Sequence, residues 1–460
     1  MTLFRRSLQL SLAAFFLVMA KASFGQHLPL GLAQTPPMGW NSWDAYGLTI
    51  TEAQFHDNVA VLTDKLKPFG WNYAVIDEGW FLKNPLDRPH AEKLQFEIDD
   101  YGRYIPVPAR FPSSKGNGSF QTLGEYVHQQ GLKFGIHIVR GIPRESVTRN
   151  LPVEGSRYTA TDVADTSDAC PWDPTNWGVK DNAAGQAWYD SLLKQYANWS
   201  IDYLKVDCIA DHPYKVSEIR MIDRAIAKTG RPIVLSLSPG PTALDHAKEV
   251  GELAQLWRIS NDIWDYWTNP HRFPRSVHDQ FALLDTWQPY VKPGNWPDAD
   301  MLPLGYLGPF PGDGRARDAR LTHDEQRTMI TLWSIARSPL ILGANLTKLD
   351  PWTLSLLTNR GVIAMDQQGH NQKQAKHEDD LIVWTSEGNQ GQHYLALFNL
   401  GDKELVVDRP YDAFGLPKRQ LKVRDLWTGA PVKIGIGPVA RGLRETLPPH
   451  GCVLLELQER

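Results

Sequence analysis

The stretch YLKVDCIAD, residues 203–211, combines the pattern of a buried strand with two charges. Lys205 and Asp207 stand two residues apart in an otherwise apolar run. Side chains two apart on a strand point to the same face, so the ammonium and the carboxylate would be presented together. Because unpaired charges are costly in a buried element, the end of this strand is predicted to belong to a functional site.

Similar apolar runs recur along the chain and alternate with amphipathic segments. The runs are NYAVID (72–77), LKFGIHIV (132–139), RPIVLSLS (231–238) and AQLWRIS (254–260), and helical spacing marks residues 51–70, 120–131, 185–200 and 215–230. Strands that are apolar on both faces favour a parallel sheet, and this number of βα repeats favours closure into a barrel. We therefore predict a (β/α)8 TIM barrel over residues 26–370.

A different pattern begins near residue 371. Short strand-like segments separated by turn residues replace the helical spacing: LIVWTSEG, HYLALFNLG, KELVVD, LKVRDLWTG and CVLLELQ. This pattern predicts a C-terminal antiparallel β-sandwich over residues 371–460. Since no row of exposed aromatic residues can be identified in it, packing against the barrel is its expected role.

The N-terminus and the overall charge bear on location and partners. Residues 1–25 have the pattern of a signal peptide, with Arg5 and Arg6 before an apolar stretch and small residues at its end. The stretch is too short for a stable membrane span, so we expect a secreted or periplasmic protein with no membrane association after cleavage. A net charge of -4 provides no basic field for nucleic acid. The oligomeric state is not predicted.

Three cysteines, Cys170, Cys208 and Cys452, are an odd number for an exported chain. Cys208 directly follows Asp207, and Cys170 lies in the loop-like segment SDACPWDP. Two interpretations remain open. One is a disulfide between Cys170 and Cys208 at the same end of the fold; the other is three free, buried thiols.

Polar or aromatic residues follow almost every predicted strand. The ends of parallel barrel strands converge on one mouth, where such residues indicate a site. They are Trp40, Trp43, Asp44, Asp77, Glu78, His137, Arg140, Lys205, Asp207, Ser236, Ser238, Arg258, Asp262, Asp298 and Asp300.

This many carboxylates with few cations would repel one another unless a ligand or a metal engages them. The absence of HxH and HExxH patterns and the presence of Trp among the acids favour a polyhydroxylated ligand over a metal. The chain also contains 17 Trp and 15 Tyr, residues that stack well on sugar rings. We predict a carbohydrate site, with no metal and no cofactor.

Six blocks of sequence, in order, resemble glycoside hydrolase family 27, the α-galactosidases of clan D. They are PPMGWNSWDAYG (36–47), DEGW (77–80), YLKVDC (203–208), WRISNDIWDYW (257–267), PDADMLPLG (297–305) and HDEQRTMITLWSIARSPLILGANL (323–346). The resemblance extends over nearly all of the chain after residue 36. It implies a (β/α)8 barrel followed by a β-sandwich, as the periodicity does.

The resemblance also implies the catalytic roles. Asp207 matches the family's nucleophile, and Lys205 would bind sugar hydroxyls and keep Asp207 ionised. Asp262 matches the acid/base, four residues after Arg258. Retention requires these two carboxyl groups to lie roughly 5 to 5.5 Å apart, and the pKa of Asp262 should exceed that of Asp207.

Further positions match the family's sugar-binding residues: Trp43, Asp77, Glu78, Lys205, Arg258 and Asp300. Each has a structural alternative, such as core packing for Trp43, a helix cap for Asp77 or an ion pair for Arg258. Asp298 is interpreted as a turn former beside the site. His137 stands where the family more often has Tyr, and whether it contacts substrate or packs behind it is open.

Two departures from the family pattern concern the substrate. Where the family usually has two consecutive Asp, this chain has Asp77 and Glu78, and an extra methylene in a tight pocket costs about 1 to 3 kcal/mol. Glu78 would crowd the C6 hydroxymethyl of galactose, which β-L-arabinopyranose lacks. Ser238 is smaller than the usual residue near the sugar's 2-position and would leave room for an acetamido group or for water.

The sequence thus favours a retaining exo-glycosidase that removes terminal α-D-galactosyl residues from an oligosaccharide or polysaccharide. The nearest alternative is a β-L-arabinopyranosidase, followed by an α-N-acetylgalactosaminidase. A catalytically silent carbohydrate-binding protein is disfavoured, because such a protein gains nothing from keeping both Asp207 and Asp262.

Overall fold

The computed structural model describes residues 31–87, 90–271, 273–416, 421–432 and 442–459. The predicted signal peptide at residues 1–25 lies outside these ranges. Within the described ranges, no helix is long and apolar enough to cross a membrane.

Eight parallel strands form the N-terminal sheet, in the spatial order seventh, sixth, fifth, fourth, third, second, first and eighth. In chain order they are Met38–Asn41, Tyr73–Ile76, Lys133–Val139, Tyr203–Asp207, Val234–Leu237, Leu256–Arg258, Trp296–Asp298 and Leu340–Leu342. Leu302, just past the seventh strand, closes the ring through a parallel bridge to Leu342. Its N–H donates to the carbonyl of Ile341 at 2.8 Å. The predicted TIM barrel is confirmed.

Helices follow every barrel strand. The main ones are Glu52–Val61, Gln121–Gln129, Ala183–Asn198, Val216–Thr229, Ala247–Leu253, Val277–Trp287, His323–Ala336, Pro351–Leu357 and Arg360–Gln368. Several begin at a reciprocal capping box, as at Thr322, whose side chain accepts from the N–H of Glu325 while Glu325 accepts from Thr322. The segment predicted as helical over 51–70 is α-helical only to Val61. A π turn and a 3-10 turn follow, where Pro68 cannot continue an α-helix.

The loops at the carboxyl ends of the strands carry short elements of their own. Single-turn helices span Trp43–Tyr46, Arg144–Thr148 and Ala160–Val163. Small antiparallel pairings join Ile142–Pro143, Asn176–Val179 and Ala164–Ala169 in one sheet and Tyr306–Leu307 with Arg317–Asp318 in another. The first of these sheets carries the segment that contains Cys170.

In the described residues of the C-terminal domain, seven antiparallel strands form a sandwich. One sheet contains, in spatial order, His370–Glu378, Leu381–Glu387, Gln392–Asn399, Cys452–Glu459 and Leu421–Asp425; the other pairs Leu405–Pro410 with Gly442–Leu447. Leu381 and Val383 pack into the core between the sheets, whereas Ile382 and Trp384 pack into the barrel core. Alternate side chains of this strand therefore point into two different cores, one inside the sandwich and one shared with the barrel. The predicted sandwich is confirmed.

Direct contacts join the sandwich to the barrel. The rings of Phe281 and Phe398 lie 5.1 Å apart. Thr328 donates its hydroxyl to the carbonyl of His450 at 2.7 Å, and His450 Nδ1 lies 2.7 Å from a carboxylate oxygen of Glu325. The expected packing of the sandwich against the barrel is confirmed.

Candidate active site

A pocket opens at the carboxyl ends of the barrel strands. It is lined by Trp43, Asp44, Asp77, Glu78, His137, Trp172, Lys205, Asp207, Ser238, Arg258, Asp262, Ile263, Trp264, Asp300 and Met301. All ten residues that the sequence predicts as catalytic or substrate-binding are among them. Trp40, also found at a strand end, is instead buried, and its Nε1 donates to the carbonyl of Ala344 at 2.7 Å.

Asp77 and Lys205 form an ion pair in the pocket. Lys205 Nζ donates to Asp77 Oδ2 at 2.9 Å, and Asn41 Nδ2 donates to the same oxygen at 2.7 Å. Burial opposes the ionisation of Asp77, but the charges of Lys205 and His137 outweigh it and hold its pKa well below the ordinary range. For Lys205, burial lowers the pKa, yet the neighbouring carboxylates, Asp77 first, raise it overall. Both groups are therefore charged.

Glu78 occupies the pocket beside this pair. Only 6% of the residue is exposed. Its N–H donates to Asp77 Oδ1 at 2.9 Å, and the N–H of Asp77 donates to Ser42 Oγ at 2.9 Å. The backbone at the end of the second strand is thus held by Asp77 and the first strand's loop, which fixes the origin of the Glu78 side chain.

Asp207 is the last residue of the fourth strand and has two anchors. Its Oδ1 accepts from the N–H of Cys208 at 2.6 Å, and its Oδ2 lies 3.6 Å from His137 Nε2. Burial alone would raise its pKa. The nearby imidazole of His137 and the charge of Lys205 outweigh burial and lower the pKa of Asp207 below its ordinary value. The structure therefore favours an ionised carboxylate here.

Two carboxylates, those of Asp262 and Asp300, contact one guanidinium in the pocket. Arg258 lies 2.7 Å from Asp300 Oδ1 and 3.3 Å from Asp262 Oδ1. Burial raises the pKa of Asp300 to about 7, because its effect exceeds the opposing effect of the positive charge of Arg258. The negative charges of Asp262 and Asp298 raise this pKa further. Asp300 adopts a φ of +83°, a costly conformation for a residue with a Cβ. Its N–H donates to Asp298 Oδ1 at 2.8 Å, so Asp298 supports the turn beside the site.

Asp262 differs from its neighbours in exposure. Its side chain is 39% exposed, whereas those of Arg258 and Asp300 are each 4% exposed. Asp262 therefore reaches the mouth of the pocket, where solvent has access.

His137 and Ser238 are buried polar residues in the pocket wall. Within the part of the chain that the structure describes, neither His137 Nδ1 nor Ser238 Oγ has a hydrogen-bond partner. Buried polar groups are rarely left unpaired without a functional reason. The sequence left open whether His137 contacts substrate or packs behind the site. In the structure His137 lines the pocket and also contacts Asp207.

The pocket also contains five residues to which the sequence assigned no catalytic or binding role: Asp44, Trp172, Ile263, Trp264 and Met301. Burial, followed by the charge of Asp300, raises the pKa of Asp44 well above its ordinary value. The position after the first strand was the signal that pointed to Asp44. A Cβ at Gly343 would overlap its carboxylate, so the glycine makes room for it.

A disulfide joins Cys170 to Cys208, with the Cα atoms 5.9 Å apart. Of the two interpretations that the sequence leaves open, the structure confirms the disulfide, and Cys452 is free and buried. This bridge brings the segment of Trp172 to the end of the fourth strand. A disulfide between these two loops, which the sequence left open, was the feature that could have indicated Trp172 as a pocket residue.

Arg140, although placed after the third strand, does not line the pocket. Its Nε donates to the carbonyl of Cys208 at 2.6 Å, and its guanidinium pairs with Glu218 at 2.8 Å and with Asp168 at 3.0 Å. Arg140 therefore belongs to the scaffold that supports the end of the fourth strand. No group of three or more His, Cys, Asp or Glu in the described ranges is arranged to hold a metal ion.

Comparisons with known proteins agree on the family of both domains. A model described as alpha galactosidase A matches residues 180–368, and one described as the alpha galactosidase C-terminal beta sandwich domain matches residues 378–457. The structure of a family 27 β-L-arabinopyranosidase from Geobacillus stearothermophilus is 44% identical, with a TM-score of 0.85 over 93% of this chain and 97% of that chain. A variant of that enzyme in complex with arabinose gives 42% identity and a TM-score of 0.86, again over 93% of this chain and 98% of the other.

More distant relatives carry other specificities. A Bacillus halodurans protein provisionally assigned as an α-N-acetylgalactosaminidase is 37% identical, with a TM-score of 0.80 over 93% of this chain and 98% of that chain. Alpha-galactosidase 2 from Arabidopsis thaliana is 27% identical over 94% of this chain and 91% of that protein.

Proposed function

Because the chain belongs to glycoside hydrolase family 27, we propose that it is a retaining exo-glycosidase that removes terminal β-L-arabinopyranosyl residues. That it is a glycoside hydrolase, and hence acts on a carbohydrate, follows from the family. The reaction course, the roles of single residues and the choice of sugar are the proposal.

Asp207 is the proposed nucleophile. Its carboxylate lines the pocket and has a lowered pKa, as a group that must attack while ionised requires. One of its oxygens forms a bond to the anomeric carbon while the bond from that carbon to the leaving oxygen breaks. The product of this step is a covalent glycosyl-enzyme.

Asp262 is the proposed acid/base, and its position at the mouth suits that role. It gives its proton to the leaving oxygen in the first step. In the second step it takes a proton from water, whose oxygen attacks the anomeric carbon and releases Asp207. Two displacements at the same carbon retain the configuration.

The remaining charged and aromatic residues are proposed to hold the sugar. Asp77 and Asp300 present carboxylate oxygens, and Lys205 and Arg258 present donors, so vicinal hydroxyls would find both kinds of partner. Trp43 offers an aromatic surface in the same pocket.

The observation that carries the choice of sugar is the buried Glu78. Its additional methylene, relative to the Asp usual in the family, lies in a pocket wall held by Asp77 and Ser42. Space at this position would be needed for the hydroxymethyl group of galactose, and β-L-arabinopyranose lacks that group. The 44% identity to a β-L-arabinopyranosidase supports the same choice.

An α-D-galactosidase is the second candidate, and it is the activity that the sequence alone ranked first. The descriptions of both matching family models and the Arabidopsis relative support it. Both candidates share the mechanism above. We further propose that the enzyme is exported, since the predicted signal peptide and the disulfide both suit an oxidising compartment.

A side-by-side assay tests the proposed function. We expect purified protein to hydrolyse p-nitrophenyl β-L-arabinopyranoside with a kcat/KM at least about tenfold above that for p-nitrophenyl α-D-galactopyranoside. A preference for the galactoside would establish the second candidate, and a preference for the corresponding α-N-acetylgalactosaminide would exclude both. A wild-type protein that binds sugar without turnover, and that Asp207→Ala leaves unchanged, would be a carbohydrate-binding protein.

A further inference from the structure

We propose that Trp172 forms the binding platform for the leaving group, the six-membered ring to which the terminal sugar is attached. The inference rests on the proposed function to the extent that it assumes glycosyl transfer to Asp207. It adds a second subsite, specific for a flat or ring-shaped leaving group, beside the pocket for the terminal sugar.

The chain connectivity places Trp172 in the wall of the pocket, near the end of the fourth strand. Trp172 stands two residues after Cys170, and the disulfide ties Cys170 to Cys208, the residue after Asp207. Both Trp172 and Asp207 line the same pocket. Asp207 attacks the anomeric carbon in line, so the bond that breaks points away from Asp207. The attached ring therefore leaves through the open mouth of the pocket, where the side chain of Asp262 is exposed.

Trp172 is unusual because it is exposed and also lines the pocket. Seven large hydrophobic residues in the described ranges are at least 37% exposed: Leu86, Tyr101, Trp172, Leu244, Phe273, Phe310 and Val406. Of these, Trp172 alone lines the pocket that contains both proposed catalytic acids. Trp172 is 37% exposed, although burial of an indole is energetically favourable. The fold leaves this ring accessible where the leaving group would emerge.

The indole is held from one side and anchored through its backbone. The ring of His212 meets it edge-on, with centroids 5.1 Å apart and an interplanar angle of 90°. The next residue, Asp173, is buried, and its Oδ1 accepts from the N–H of Thr175 at 2.8 Å. Asn176 donates to the carbonyls of Val139 and Arg140 at 3.1 and 3.0 Å. These contacts pre-organise the platform and so reduce the entropy lost when a ring stacks on it.

Substitution of Trp172 separates this role from a role in sugar binding. Methyl and benzyl β-L-arabinopyranosides have leaving alcohols of similar basicity, but only the benzyl compound carries a ring. We expect Trp172→Ala to lower kcat/KM for the benzyl glycoside about tenfold and to change that for the methyl glycoside by less than about twofold. Trp172→Phe should recover most of the loss. Tyr101→Ala is the matched control, because Tyr101 is also 37% exposed and does not line the pocket.

A third substrate identifies the kind of ring. Losses of similar size on the benzyl glycoside and on a disaccharide of β-L-arabinopyranose and glucose would assign a platform that accepts sugars. A loss confined to the benzyl glycoside would assign an aryl platform. Either result supports the proposal.

Two results would overturn it. Equal losses on the methyl and benzyl glycosides would mean that Trp172 supports the terminal sugar or the fold, and unchanged kinetics on all three substrates would mean that the ring is idle. The same ratio of benzyl to methyl rates is measured with α-D-galactopyranosides. If galactosides prove to be the better substrates, the assignment of the sugar fails while this ratio still tests the platform.

Discussion

Lys205 donates its hydrogen bond to Asp77, at 2.9 Å, and not to Asp207, two residues away on its own strand. The lysine thus joins the fourth strand to the end of the second. This arrangement explains the two charges in YLKVDCIAD: the ammonium is neutralised by a carboxylate from another strand, and Asp207 remains available for chemistry. The pKa of Asp207 is lowered mainly by His137, with Lys205 contributing through its charge.

Removal of the imidazole should therefore change the pH dependence of the enzyme. His137→Phe deletes the imidazole that lowers the pKa of Asp207, so this pKa rises. Because Asp207 reacts as a carboxylate and is lost by protonation below its pKa, the acid limb of the profile of kcat/KM against pH should move to higher pH. His137→Gln, which keeps a donor, should move it less. An acid limb at the same pH in all three proteins would contradict the role given to His137.

Substitutions of the two catalytic acids should differ in their dependence on the leaving group. Asp207→Ala should lower kcat/KM by a factor on the order of 10⁴ or more with every glycoside, because the covalent step is lost. Asp262→Ala should lower it by about 10² to 10⁴ with the methyl glycoside and much less with the p-nitrophenyl glycoside, which needs no proton to depart.

Azide provides an independent check of the same assignment. It should restore turnover to Asp262→Ala and give the glycosyl azide of retained configuration, since the small anion replaces water in the second step. Loss of activity in Asp262→Ala that is equal for both leaving groups and is not rescued would contradict the assignment of the acid.

Replacing a buried acid of the pocket by its neutral amide should cost much more stability at Asp77 than at Asp44. Asp77 has a lowered pKa, so Asp77→Asn leaves the ammonium of Lys205 without its partner and should destabilise the fold by about 3 to 5 kcal/mol at pH 7. Asp44 has a raised pKa, which favours its neutral form, and Asn resembles that form, so Asp44→Asn should cost less than about 1 kcal/mol. Urea unfolding of the two variants at pH 7 measures both effects.

The pH dependence of stability tests whether the pKa of Asp44 is raised in the folded protein. A folded-state pKa above the unfolded value of about 4 means that the native protein holds a proton that the unfolded chain releases. The contribution of Asp44 to stability therefore falls as the pH rises from about 4 toward the folded-state pKa. Asp44→Asn removes this fall, and a curve of stability against pH that is steeper in the variant than in the wild type would contradict the assignment.

The disulfide should stabilise the fold measurably. Cys170 and Cys208 are 38 residues apart, and closing such a loop in the unfolded chain is worth about 3 to 4 kcal/mol by the chain-entropy model. The double variant Cys170→Ser/Cys208→Ser should unfold at lower urea concentration than the wild type by a corresponding amount. A reductant should lower the midpoint of the wild type and leave that of the double variant unchanged. A wild-type midpoint insensitive to reductant would show that the bridge contributes nothing.

The sequence predicts the barrel well because both of its periodicities are strong. Apolar runs such as NYAVID can be buried only in a covered sheet, and the helices between them have a clear apolar face. The edge strand His370–Glu378 cannot be predicted in this way, because its sequence HNQKQAKHE has no alternation of apolar and polar residues. An edge strand gains its place from backbone pairing with its neighbour and tolerates charges that a central strand does not.

The site is predictable in its members and less so in its pairings. Strand ends identify the residues, because parallel strands deliver them to one mouth. The partner of Lys205 depends on the register between strands and the reach of the side chain, neither of which is encoded locally. Trp172 arrives from an insertion more than 30 residues before the fourth strand, held by a disulfide that the sequence left open.

The central claim is that the extra methylene of Glu78 selects arabinose over galactose, and the most direct test is Glu78→Asp. The ratio of kcat/KM for p-nitrophenyl β-L-arabinopyranoside to that for p-nitrophenyl α-D-galactopyranoside is measured for both proteins. We predict that the wild type favours the arabinoside and that the variant shifts the ratio toward the galactoside by roughly ten- to two-hundred-fold. A wild type that favours the galactoside, with a ratio unchanged in Glu78→Asp, would contradict the claim.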